Sequence, residues 1–117
     1  MRNFREMTIW NLGIELAVTA YQLTRNFPKE EMFGLKSQIT KAVVSIPANI
    51  AEGCSRSSER DFSRFLEISL GSSYEVETHL IIAEQVGFIK KLDIADFILK
   101  LNSEQRQIHS LINKLKS

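Results

Sequence analysis

The 117-residue chain has little of what most simple functional signatures need. Its single cysteine, Cys54, excludes an internal disulfide and suits a reducing cytoplasm. There is no His-Glu-x-x-His run, no paired-cysteine motif and no phosphate-binding glycine loop. The two histidines have the wrong neighbours for a di-iron bundle, which needs Glu three residues before each His. Val76 holds that place before His79, and Arg106 before His109. Glu75 stands four before His79, but one pair falls short of a metal site. No apolar run reaches membrane-spanning length, so no contact with the membrane interior is expected. The start, Met1 to Glu6, is charged and lacks the apolar core of a signal peptide, which predicts a cytoplasmic protein. Net charge is only +1, so bulk charge gives no pull toward nucleic acid or an anionic membrane. Two prolines and five glycines leave room for long helices, and no strand signal appears.

What is present is helical periodicity. From about Thr8 to Asn26, Ile9, Leu12, Leu16, Ala20, Leu23 and Phe27 recur at steps of three and four. Trp10, Ile14, Ala17 and Tyr21 make a second stripe, so the apolar face is wider than one partner helix covers. Asn26-Phe27-Pro28 breaks the pattern, and Glu30 and Glu31 are placed to favour a helix N-terminus. The second helix carries Met32, Leu35, Ile39, Val43, Ile46, Ile50 and Cys54 down one face. Pro47 lies beside this stripe; it should bend the helix and leave the Val43 carbonyl without its helical donor. Cys54 continues the row and reads as a small buried hydrophobe.

A polar turn from Gly53 to Ser58 follows, with Ser58 as N-cap and Asp61 three residues later. The third helix repeats Phe62, Leu66, Ser69, Ser73, Val76, Leu80 and Ala83 in four-three alternation, a heptad seam. Gly71, Ser72 and Ser73 are small where larger residues are expected, which predicts a close helix approach there. Gly87 reads as a helix stop. The last helix starts near Asp93 and shows Ile94, Ile98, Leu101, Ile108, Ile112 and Leu115, with Gln105 interrupting. Four helices with short connections give one all-α domain over residues 1–117, an antiparallel up-down-up-down four-helix bundle. Phe33, Phe65, Ile68 and Phe97 lie off the main seams and predict an exposed apolar patch, hence self-association.

Charge is uneven. Arg56, Arg60 and Arg64 step by four across the turn into the third helix. With Lys41 they are the candidate nucleic-acid contacts, since stepped arginines can meet successive phosphates. Glu52, Glu59, Asp61 and Glu67 stand close enough to offset them. One bundle superfamily of ribonucleases places His four to six residues after Arg. Arg106 and His109 are closer than that, and no arginine precedes His79 at that spacing.

The run Val44-Ser45-Ile46-Pro47-Ala48-Asn49-Ile50-Ala51-Glu52-Gly53 resembles a signature of the four-helix-bundle family named for proteins encoded in 23S rRNA intervening sequences. The run Arg64 to Glu77, containing Leu70-Gly71-Ser72-Ser73, resembles its second signature, and Phe33-Gly34-Leu35, Ser37-Gln38 and Ala42 fit as well. Pro47, Asn49, Glu52, Gly53, Gly71 and Ser72 are the signature positions. The resemblance implies a homopentamer arranged as a barrel around a central channel. Some relatives serve diversity-generating retroelements and bind nucleic acid and a reverse transcriptase, so RNA or DNA and that enzyme are the implied partners. Those relatives are strongly basic, whereas this chain is nearly neutral. The family name reflects where the genes sit and does not imply ribosome membership. The reading is a non-enzymatic, cofactor-free assembly or adaptor protein; the alternative is a small metal-dependent or RNA-cleaving bundle enzyme.

Overall fold

The polar turn ends as its residues dictate. The Ser58 hydroxyl accepts the backbone N–H of Asp61 at 3.1 Å, which satisfies one orphan donor of the helix that follows. The computed structural model describes residues 2–116. Among them are four α-helices: α1 (Thr8–Leu23), α2 (Leu35–Cys54), α3 (Glu59–Gln85) and α4 (Lys91–Lys116). Two short 3-10 turns, Phe4–Glu6 and Lys29–Glu31, precede α1 and α2. No strand occurs among the described residues.

Each helix packs on its sequence neighbours, and α1 closes the ring on α4. Register gives the directions. Met7 reaches Cys54 while Gly13 faces Pro47. Ser45 meets Ser72 while Ser69 meets Ile46. Ser73 and Glu77 of α3 meet Gln105 and Asn102 of α4, while Gly13 of α1 lies by Glu104 and Glu15 meets Lys100. In each pair one chain number rises as the other falls, so neighbouring helices run antiparallel.

The core follows the predicted seams. All seven α3 seam residues are buried, the two serines included. Inside, the Ser69 hydroxyl donates to the Ile46 carbonyl at 2.9 Å and Ser73 to that of Leu70 at 2.6 Å, so burial leaves neither hydroxyl unpaired. Ser45 and Ser72 bridge α2 and α3 at 2.8 Å, and Asn49 donates to both the carbonyl and the hydroxyl of Ser45. Gln105 donates to Glu77 at 2.9 Å, closing a polar layer at mid-bundle.

Several expectations change. Helix α1 stops at Leu23, and the buried Thr24 just beyond it donates its hydroxyl to the Ala20 carbonyl at 2.9 Å. Helix α2 starts only at Leu35; the Glu31 side chain caps it from outside by accepting the Leu35 N–H at 2.9 Å. Met32 is therefore off the inner stripe and exposed. Phe97 is buried, since it falls four residues before Leu101 on the inner face of α4. Gly71 is exposed, and a methyl added there would meet nothing within 4 Å, so close approach is confined to Ser69, Ser72 and Ser73. As the apolar stripe predicts, one helix, α2, runs through Pro47.

Candidate interaction surfaces

The arginine ridge is real as a row but not as a set of equivalent charges. Arg56, Arg60 and Arg64 are all exposed. Arg56 pairs with Glu52 at 3.0 Å and lies over the Phe65 ring, 4.7 Å from its centroid. It is held flat against the protein, where it stacks and pairs at once. Among the described residues Arg60 and Arg64 make no ion pair. They line a shallow depression of about 330 Å³ with Ser63, Glu59, Glu67 and the last turn of α4, Leu115 and Lys116. The fold thus adds Lys116 to the ridge. Nothing but the basic tail of α4 could have signalled that, because the sequence separates it from Arg60 by most of two helices. Lys41 does not join. It is exposed on α2 thirteen residues before Cys54, about 20 Å of helix rise away.

The signature positions serve structure at that same end and at mid-bundle. Gly53 is buried, and a methyl there would sit 2.9 Å from Phe65 Cβ and 3.0 Å from the Phe62 ring. Pro47 is buried against Gly13 of α1, where an added methyl would lie 3.1 Å from the proline Cβ. Arg2 covers Phe62, its guanidinium 4.0 Å from the ring centroid, and approaches Glu59 at 3.8 Å.

A second surface is apolar. The second stripe of α1 is left uncovered: Ile14 and Tyr21 are exposed, with Trp10 and Ala17 half-buried and Val18 exposed beside them. Because Gly13 faces Pro47, the α2 residues flanking this stripe are Val44, Ala48 and Ala51, of which Val44 and Ala48 are exposed. No Asp, Glu, Lys or Arg occupies any of these eight positions. Phe33 is 90% exposed and Ile68 46%, while Phe65 lies half-buried under Arg56.

Titratable groups inside are few. Cys54 is buried with its Sγ 3.5 Å from Met7 Sδ, and burial pushes its thiol pKa up, which suits packing rather than nucleophilic attack. His79 lies 3.6 Å from Glu75, and its Nδ1 is buried without a partner. Among the described residues no group of three or more His, Cys, Asp or Glu side chains is placed to hold a metal ion. At the surface, Lys100 donates to Glu15 at 2.7 Å, which raises its pKa. Glu104 was missed by sequence reasoning: it is fully buried and burial lifts its carboxyl pKa to about 8.

No helix among the described residues is long and apolar enough to cross a membrane. The family model of the 23S rRNA-intervening sequence protein matches residues 5–110. The fold is similar to the crystal structure of a protein of unknown function from the S23 ribosomal protein family of Bacteroides thetaiotaomicron. The two share 24% identity over 90% of this chain and 98% of that one, with a TM-score of 0.81. No curated protein matches.

Proposed function

The chain belongs to the 23S rRNA-intervening sequence protein family, and on that premise we propose that it is a non-enzymatic adaptor that assembles with copies of itself, as a homopentamer. The observation that carries this reading is the apolar strip along α1 and α2, where Ile14, Val18, Tyr21 and Val44 stand in solvent. Leaving such a surface wet forgoes about 25 cal/mol for each Å² that a partner would cover. A second copy is the natural occupant, since a closed ring buries the same face in every subunit. The number five comes from the family resemblance; the surface itself does not count subunits. Light scattering at micromolar concentration tests it. A multiple of the 13.4 kDa chain mass is expected, and a monomer would end the reading.

A second part of the proposal concerns a partner. Arg60, Arg64 and Lys116 form a cationic end that meets the phosphates of RNA or DNA, or a nucleic-acid enzyme such as a reverse transcriptase carrying them. The unpaired state of Arg60 and Arg64 favours it. Binding to a mixed nucleic-acid pool should be sequence-tolerant and weaken steeply with salt, with a log–log slope of about −0.9 per phosphate neutralised on duplex DNA. Arg60→Glu with Arg64→Glu should abolish it. Equal binding by that double variant would remove the ridge from the account.

A further inference from the structure

Glu104 sits in the middle of α4 with no exposed surface, and neither carboxyl oxygen has a hydrogen-bond partner. Its Oε2 points at the gap left by Gly13, where an added methyl would lie only 3.2 Å away, with the Pro47 ring on the other side. Among the described residues it is the only buried Asp, Glu, Lys or Arg. Ionisable groups on the surrounding elements are engaged or turned outward, save that His79 of α3, whose Nε2 lies 3.6 Å from Glu75, has a buried Nδ1 without a partner. On α1, Glu15 pairs with Lys100 of α4 at the surface. On α2, Lys41 and Glu52 are both exposed and stand at least five positions from Pro47. On α3, Glu77 accepts from Gln105 and Asn102. On α4 itself, Lys100 is taken by Glu15 and Asp96, and Arg106 and His109 are exposed. No cation faces the carboxyl.

We propose that Glu104 is a proton-linked latch: its carboxyl is shut into the bundle with a proton, and release of that proton to water loosens α4 from α1. A neutral acid can be desolvated at modest cost, whereas a carboxylate without a partner or counter-ion cannot. Burial accordingly raises the pKa from 4.5 to about 8. The folded value lies above the unfolded one, so the folded chain binds the extra proton. The stabilisation is complete below about pH 4.5, declines as pH rises, and is gone once pH passes about 8. Across that window the folded-to-unfolded ratio falls about tenfold per pH unit from this one group. Gly13 and Pro47 give the latch its place: the first makes room for the carboxyl, and the second offers it no N–H.

The test compares the full chain with Glu104→Gln and Glu104→Met at one protein concentration. Stability by denaturant melts is followed from about pH 5 to about pH 9, spanning the window of the shifted group. The ratio of wild-type to Glu104→Gln folding constants should fall about tenfold per pH unit and flatten above about pH 8. Independently, wild type at neutral pH should show the infrared carbonyl stretch of a buried protonated carboxyl, absent in both variants and lost on titration near pH 8. A flat ratio across the window, or no such band at neutral pH, overturns the latch. The infrared signal needs only folded wild type, so failure of either variant to fold leaves the proposal testable.

Discussion

Gly13, Gly53 and Gly71 all lie within helices, yet only the first two stand where space is short. Gly13→Ala puts a methyl 3.1 Å from Pro47 and 3.2 Å from the Glu104 carboxyl, and it should cost about 1–3 kcal/mol by overpacking. Gly71→Ala meets open space and removes a poor helix former, so it should gain up to about 1 kcal/mol. Thermal melts of the two variants at matched concentration give opposite shifts if this is right. The sequence suggested close packing at Gly71, and the correction is geometric. Two residues along a helix rotate a side chain by about 200°, so a row that buries Ser69 and Ser73 turns Gly71 outward. Glu104 was illegible for a related reason. Its spacing from Leu101 and Ile108 fits the inner row, but a glutamate beside such a row is ordinarily a boundary residue. Only the small residue opposite, on another helix, makes room for it.

At the scale of elements, the legible features were those fixed by local chemistry. Ser58 caps α3 as read, and Ser58→Ala should cost about 1 kcal/mol, measured as a fall in stability with helix content kept. Gly87 ends α3 with φ of 88°, the left-handed backbone that favours glycine, as its place after the last seam residue implied. The start of α2 lies later than the apolar pattern implied because a side chain decides it. Glu31 reaches forward and accepts the Leu35 N–H. Such a cap leaves no periodic trace. The α3 seam was read residue for residue, because strict heptad spacing has one geometric solution in an antiparallel bundle.

For the whole molecule, the second stripe of α1 is the feature whose meaning extends past one chain. Its width was visible in sequence, and the fold confirms that α2 and α4 leave it open at Ile14, Val18 and Tyr21. Phe97 went the other way, into the core, and the uncovered apolar side chains lie not only on α1 and α2 but also on α3 and α4, at Ile68, Tyr74, Ile81, Ile82, Leu92 and Leu99. The cationic end with Arg60, Arg64 and Lys116 is a separate surface, and its salt-dependent binding can fail without touching self-assembly. The charge-reversed variants at Arg60 and Arg64 should therefore keep the wild-type mass.

Self-assembly through the apolar strip of α1 and α2 is tested most directly by the solution mass of wild type beside that of Ile14→Glu with Val44→Glu. Both side chains are at least 40% exposed in the single chain, so the substitutions leave the bundle core alone. Wild type should scatter as a multiple of 13.4 kDa, near five chains, and the double variant as a folded monomer with the same helical circular dichroism. A monomeric wild type, or a double variant that keeps the wild-type mass, would contradict the account.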